Sequence, residues 1–458
     1  MSFKPRSSLP QRALQAMPPA RRVAFLALER SRGKGDLPLQ AALDLALREH
    51  RLGPQDAPLA TNLAYETCRQ QERLHWLLNR FLKRPERLAP AHKDILLLAA
   101  CELAGMEGIP PYASLNWAVD AVKMAFGPAL GGLSNAVLRK VAGLEKNAKE
   151  YAFFAAEIQD RQQLYSTWFS QPPWIIDHFT ANYPGAEARA YLEAFIAEPV
   201  LGLRVNRLKP GWEELAARLA ADPGCLAERG HSLALRAATK PADLEQLIRE
   251  GRVSRQSYAA QEALAALLQS AAANDVDFAA VLQNGVWDAC AGHGGKTCAL
   301  LEQGIPVKLS SDVHAGRLAG LREDFVRLGL MDNAPETIQA DATAPCPLPS
   351  CPPVILADVP CSGLGTLNHR PDIKYKRRPE DLAQLALLQK KIVDNLYQNL
   401  PEQGWLLYLT CTLNPAENEE RVSDLTVRHP EAKVAAVWRT PPGSPAREFF
   451  YGAAIKKG

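Results

Sequence analysis

From about Ser254 onward, short apolar runs alternate with amphipathic segments, and this alternation restricts the fold more than any other feature. After the helical segment SYAAQEALAALLQSAA come the strand-like runs NGVWDACAG, VKLSSD, ETIQADAT, VILADVP and GWLLYLTCT. Between them lie the helical segments KTCALLEQG, AGRLAGLREDFVRLGL and PEDLAQLALLQKKIVDNLYQNL. A strand followed by a helix and another strand favours parallel pairing, because parallel neighbours need a crossover. The pattern predicts a doubly wound, mostly parallel sheet, which binds ligands at the carboxyl ends of its strands. Asp288, Asp312, Asp341, Asp358 and Cys411 all fall at or near such ends.

The chain upstream reads differently. Its first ~145 residues carry apolar residues at helical spacing only, in segments such as ARRVAFLALERS, LQAALDLALREH and HKDILLLAACELAGM, punctuated by Gly and Pro. A helical bundle over 1–147 is expected. A linker-like stretch, EKNAKEYAFFAAE, follows. LGLRVNRLK and HSLALRA read as strands around the helix WEELAARLAAD, so a small α/β subdomain, RRM-like, is expected over 160–253. The sheet domain then occupies 254–458.

At 458 residues the chain has room for several domains, and 47% hydrophobic with 22% charged residues is the balance of a globular protein. No apolar run is long enough for a membrane span, and the basic start MSFKPRSSLPQRALQ lacks a signal-peptide core, so a cytoplasmic location without membrane association is expected. Nine cysteines without a C-x-x-C pair suit reduced thiols, and no metal site is expected. Residues 1–145 hold 20 Lys+Arg against 13 Asp+Glu, a net +7 in a chain of net +3. That excess is either chance or a helical module that touches a polyanion.

The loop DACAGHGGKT contains Gly292, Gly294 and Gly295 at a strand-to-helix turn, where glycine lets backbone approach a ligand. It is not a Walker loop, since Cys290 stands at the first glycine position. It is not a dinucleotide fingerprint either, since Thr297 stands at the last. Asp312 ends the next strand, where a carboxylate can accept both ribose hydroxyls, and Asp341 ends the third, on the adenine side. Each acid alone could be a helix cap or turn residue; together with the Gly loop they suggest an adenosine ligand such as S-adenosylmethionine. Cys361, in ADVPCSGLG, and Cys411, in LLYLTCT, end two strands facing that site. A single cysteine there is more often packing, but a pair suggests thiol chemistry. Arg204 and Asn206, in RVN, are either phosphate contacts or a solvated strand edge. In HRPDIKYKRR, residues Arg370, Lys374, Arg377 and Arg378 surround Tyr375 as a phosphate-and-stacking surface or a solvated basic loop.

DACAGHGGKT, DVPCSGLGTLNHRPDIKYKRR and LLYLTCTLNPAENEE resemble the signature blocks of the Fmu/Sun family of RNA cytosine-5 methyltransferases. IPPYASLNWAVDAVKMAF with GLSNAVLRKV resembles the NusB-type fold of the bacterial antitermination factor, an RNA-binding helical domain. Together they resemble the branch that methylates small-subunit ribosomal RNA. The resemblance implies a Rossmann-like methyltransferase domain using S-adenosylmethionine. Its implied cofactor contacts are Cys290, Ala291, Gly292, His293, Gly294, Gly295, Lys296, Asp312, Asp341 and Asp358. It further implies Cys411 as nucleophile, Cys361 as the thiol that assists product release, and Asp358 as the group that grips the base. A monomer acting on ribosomal RNA, free or in an early assembly particle, is expected. Alternatives are a transfer-RNA cytosine-5 methyltransferase and a non-catalytic ribosome-assembly factor with a relict fold. The chain departs from the family pattern at His293, where proline is usual, and at Val359, in place of alanine. It departs again at Ser257, in place of aspartate, and before Phe449, where a glycine is missing.

Overall fold

A computed structural model describes residues 7–33 and 37–458; the first six residues of the basic N-terminal stretch lie outside them. Two compact units emerge: residues up to Ile196 with Arg370–Lys376, and Ala197–His369 with Arg377–Gly458.

The first unit is helical among its described residues. Helices Pro19–Arg32, Pro90–Ala104, Pro111–Phe126 and Pro128–Ala142 each begin on proline, which loses nothing at a first turn whose N–H has no partner. Phe25, Leu63, Leu97, Leu98 and Ala118 are buried together in its core. Glu102 is buried with them and is satisfied by Arg21 Nε (2.6 Å), Ser114 Oγ (2.7 Å) and Trp117 Nε1 (2.9 Å). The stretch expected to be a linker instead forms helix Tyr151–Glu157. Its Phe154 is fully buried and packs 5.1 Å from Trp76, because adjacent aromatic residues carry too much apolar area to stay in solvent. Helices continue to Ile196, so the boundary between the units falls inside the region read from sequence as a small α/β subdomain.

Within the basic surface expected around Tyr375, the place of Lys374 is corrected here. Lys374 is 1% exposed, and its ammonium donates to the carbonyls of Arg69 (2.7 Å) and Ser170 (2.6 Å). Arg69 ends helix Asp56–Arg69, so this lysine places its charge at the helix's C-terminal carbonyls. Tyr375 packs against the helical core, and Lys376 donates to Ser31 O and Leu37 O. Arg370 and Arg378 are exposed, and Arg377 is half-buried with Nε 3.4 Å from Ser362 O.

The second unit holds two sheets. In the smaller, β1 (Val200–Val205), β2 (Cys225–Arg229), β3 (Ser232–Arg236) and β4 (Val253–Arg255) are ordered β2-β3-β1-β4 and pair antiparallel. Arg204 and Asn206 face inward from it, which overturns their reading as phosphate contacts. Arg204 is 2% exposed, forks onto Glu302 at 2.8 and 2.9 Å, and also donates to Gly295 O (2.9 Å) and Gln256 Oε1. Asn206 donates to Gly251 O and to Leu328 O, the last carbonyl of helix Leu321–Leu328. In both cases a buried polar group found the partners that burial demands.

The larger sheet contains β5 (Val286–Asp288), β6 (Val307–Asp312), β7 (Glu336–Gln339), β8 (Val354–Asp358), β9 (Trp405–Thr410), β10 (Lys433–Arg439) and β11 (Tyr451–Lys456). Its order is β10-β11-β9-β8-β5-β6-β7. The five strands from β9 to β7 are parallel, and β11 and β10 close the β9 side antiparallel. β9 is buried along its whole length, as a central strand covered on both faces must be.

Candidate active site

The carboxyl ends of β5 and β8 open onto a cavity of about 220 Å³. Cys290, Ala291, Gly292, His293, Gly295, Lys296 and Asp358 line it, joined by Gln256, Ala260 and Asp288. Of the other expected cofactor contacts, Gly294 lies behind the wall. Its φ is +75°, and a Cβ there would meet Leu321 Cδ1 at 1.9 Å, so only glycine fits the start of helix Gly295–Leu301. Asp312 supports the loop, accepting Gly292 N at 3.0 Å and His314 N at 2.8 Å. Asp341 is exposed and its carboxylate accepts the amide and hydroxyl of Thr343.

Two charged groups dominate the cavity. Lys296 Nζ lies 2.5 Å from Asp358 Oδ2 and 5.7 Å from the Phe450 ring centre. Burial lowers the lysine's affinity for its proton, but Asp358 and Asp288 outweigh burial and the net shift is upward. Asp288 is 1% exposed, and burial pushes its carboxyl up to about 6 although the Thr297 hydrogen bond and Lys296 oppose this. Thr297 Oγ1 satisfies Asp288 Oδ2 at 2.7 Å; Oδ1 has no protein partner. A buried oxygen without a partner beside a cavity implies a ligand or water that completes it.

Beside this cavity, β8 and β9 run parallel with Asp358 opposite Leu409, and Val359 N extends the ladder to Leu409 O (3.1 Å). The register brings the residues after both strands together. Cys361 Sγ and Cys411 Sγ are 3.1 Å apart, and the Cys411 amide lies 3.3 Å from Cys361 Sγ. Contact with Cys411 and then burial push the Cys361 thiol well above its ordinary value. The pair sits on a tight floor: Gly365 N donates to Cys411 O, and Phe449 N donates to Gly365 O. A Cβ at Gly365 would come within 2.0 Å of Phe449 O, so the position admits no side chain.

Three family models match in chain order: NusB over residues 18–143, an RsmF/B-like ferredoxin-like domain over 171–240, and 16S rRNA methyltransferase RsmB/F over 279–446. A probable ribosomal RNA small subunit methyltransferase B from Synechocystis is 31% identical over 432 residues, covering 92% of this chain and 91% of that protein. The chain belongs to this family of RNA methyltransferases. A probable relative of the same name from Bacillus subtilis is 26% identical, covering 89% of this chain and 87% of that one. Among solved structures, that of PH0851 matches with a TM-score of 0.72 at 20% identity, over 96% of this chain and 99% of that one. NSun6 from Pyrococcus horikoshii, solved with SFG, matches at 0.52 and 18% identity over 62% of this chain and 98% of its own.

Membership in the RsmB/F family also puts the departures from its pattern in physical terms. Ser257 caps helix Tyr258–Asn274 by accepting Ala260 N at 3.2 Å, a task any short polar side chain performs. Val359 is buried without displacing Asp358 or Cys361 from the strand ends. His293 is exposed at the cavity wall. Asp288 was visible in the sequence as a strand-end acid but not singled out as a site residue. Gln256 and Ala260 carried no local signal, since they reach the cavity from the chain preceding β5.

Proposed function

We propose that the protein methylates carbon 5 of a cytosine in small-subunit ribosomal RNA, with S-adenosylmethionine as methyl donor. The observation that carries this reading is the 3.1 Å pair of thiols at the ends of adjacent strands, next to the Lys296–Asp358 pair. Such an arrangement offers one thiol to bond the base and a second to act on the first.

The residues of the cavity fit the donor. Asp288 Oδ1 is a buried acceptor without a protein partner, and three carboxylates, Asp288, Asp312 and Asp358, face or support a Gly-rich turn, an environment for a cationic adenosyl compound. NSun6, a protein of this fold, was solved with SFG, an S-adenosylmethionine analogue, which supports a donor of that class. When bound, the donor supplies an electrophilic methyl group.

Carbon 5 of cytosine is too weak a nucleophile to take that methyl unaided. In the proposed sequence the Cys411 thiolate adds to carbon 6, and the electron pair of the 5,6 double bond moves to carbon 5. Asp358, steadied by Lys296, accepts a hydrogen bond from the exocyclic amine of the base. Once carbon 5 is methylated, a base removes its proton. The carbon 6–sulfur bond then breaks, restoring the double bond and releasing the thiolate. Cys361, in contact with that sulfur, stabilises it as it leaves. The target nucleotide must be unstacked to reach a strand-end pocket, at a cost of a few kcal/mol in a duplex and less in a loop.

The test is transfer of labelled methyl from S-adenosylmethionine to small-subunit RNA, with the product mapped by bisulfite sequencing. Cys411→Ala is expected to lose activity by roughly a thousandfold or more. Cys361→Ala is expected to accumulate a protein–RNA adduct that survives a denaturing gel. Undiminished methylation by Cys411→Ala would remove the nucleophile from this reading, and normal turnover without adduct in Cys361→Ala would remove the release role.

A further inference from the structure

A buried acid beside the two cysteines has no part in the mechanism above. Glu417 is fully buried behind the two cysteines, in the short turn Pro415–Glu417 that follows β9. Its Oε2 accepts the backbone amide of Ser362 at 2.8 Å and Gln389 Nε2 at 2.9 Å; its Oε1 accepts Asn414 Nδ2 at 3.0 Å. Three donors and no acceptor point at this carboxyl group, the pattern that suits the ionised form. Among the described residues no basic side chain forms an ion pair with it.

The neighbouring residue works on the other strand end. Asn418 Oδ1 accepts Thr410 Oγ1 at 2.6 Å, and its Nδ2 donates to Thr412 O at 3.0 Å, so it grips the chain on both sides of Cys411. Ser362 Oγ and Thr412 Oγ1 lie 2.6 Å apart, which ties the residues that follow the two cysteines to each other. Glu417 and Asn418 are adjacent in sequence. One holds the residue after Cys361 and the other the residues flanking Cys411, so a two-residue bridge sets the distance between the sulfurs.

We propose that Glu417 is a positioning residue, a buried carboxylate that fixes the spacing of the two cysteines and directs which of them carries the proton. The proposal rests on the cysteine chemistry assigned above. The physical argument is a local asymmetry. Contact with Cys411, burial and the negative charge of Glu417 all oppose a thiolate at Cys361, outweighing the Cys411 amide that donates to its sulfur at 3.3 Å; Tyr408 is also nearby. Cys411 lies on the side of the Lys296 ammonium. Two further cations border this group: Arg377, whose Nε donates to Ser362 O at 3.4 Å, and Arg421, which faces Tyr408 and is already paired with Asp424 at 2.7 Å. Cys361, whose thiol is pushed upward by Cys411, burial and Glu417, keeps its proton. Cys411 is left as the attacking sulfur, and an S–H donor is in place to steady it when it departs.

The alkylation arm reads the thiols directly and does not require the protein to methylate cytosine; the methyl-transfer arm is referred to the parent protein, whose own activity first checks the functional assignment, so the two failures are separable. Full-length protein is alkylated with iodoacetamide across a pH series, and each cysteine is followed by peptide mass spectrometry. In Glu417→Gln the oxygen that accepts from Ser362 is retained and the charge is lost. Cys361 alkylation at a fixed pH near 8 is expected to rise about tenfold, the effect of a one-unit displacement of its profile to lower pH. A merely loosened loop would raise the rate equally at all pH values without displacing the profile. Glu417→Asp keeps the charge but shortens the reach to Ser362. It should leave the Cys361 profile in place while single-turnover methyl transfer falls about tenfold. An unmoved Cys361 profile in Glu417→Gln overturns the charge role. Should Glu417→Gln not fold, Glu417→Asp decides the matter: parental methyl transfer in that variant overturns the positioning role.

Discussion

Two regions of this chain carry dense, chemically pointed side chains, and the structure treats them in opposite ways. At the ends of β5, β8 and β9, acids, a lysine and two thiols from positions up to about 120 residues apart converge on one cavity and its border. In the RVN and RPDIKYKRR segments, two of the cations that look from sequence like a phosphate-binding surface, Arg204 and Lys374, turn inward instead. Arg204 holds Glu302 and the Gly295 carbonyl, and Lys374 caps a helix. The difference lies in the partners available. At the strand ends the backbone is spent on the ladder, and side chains project into space that no other element fills. In the basic segments, helix C-termini and a buried acid offered acceptors, and a cation with a nearby unpaired carbonyl is held by it.

This contrast can be broken or sharpened by substitution. Beyond the loss of activity expected of Cys411→Ala, the largest effect on stability belongs to Arg204→Ala. It strands Glu302 without a partner in a buried site and should destabilise the second unit by about 3–5 kcal/mol, measured by urea unfolding. It also frees the Gly295 carbonyl, so affinity for S-adenosylmethionine, read by calorimetry on protein that remains folded, should fall with it. Parental stability and affinity would place Arg204 back among candidate RNA contacts.

Asp288 gives the next effect, and its sign follows from burial. Its carboxyl titrates at about 6 in the folded protein and near 3.9 when unfolded. Between those values the folded chain keeps a proton that the unfolded chain has released, so this group's contribution to stability falls as pH rises from about 4 to 6. Asp288→Asn removes that dependence and should be more stable than the parent at pH 7 by up to about 3 kcal/mol, with little difference near pH 4. The expected accompaniment is weaker binding of the methyl donor. Equal stabilities across the range would show that the acid is not held in the way its burial indicates.

A smaller effect should separate the two kinds of cation. Lys374→Met keeps the volume but leaves the Arg69 and Ser170 carbonyls without their donor, at a cost of about 1–3 kcal/mol. Arg378→Ala, at an exposed position, should leave the melting temperature within about 2 °C. Any effect of Arg378→Ala should appear instead as weaker RNA binding and a shallower dependence on salt. Were Lys374→Met to weaken RNA binding without loss of stability, the inward assignment would fail.

Much of the molecule was legible before any coordinate. The strand–helix alternation from Ser254 fixes a parallel sheet, since strands of that spacing leave room only for crossovers, and the apolar periodicity upstream fixes a helical bundle. The strand-end rule alone marked Asp358 and Cys411 as neighbours of a site. Three things needed the tertiary structure. The antiparallel strands β10 and β11 are joined to each other without a helix between them, so the alternation that revealed the others was silent about this pair. The segment read as a linker became core because Trp76, distant in sequence, and Trp168, from the next helix, supplied the surface that buries Phe154. The direction in which each cation points was the third. A sequence records that a residue is charged and roughly which element bears it. Whether that charge meets solvent, a carboxylate or the open carbonyl of a helix end depends on what other elements bring to it, which only the packed chain decides.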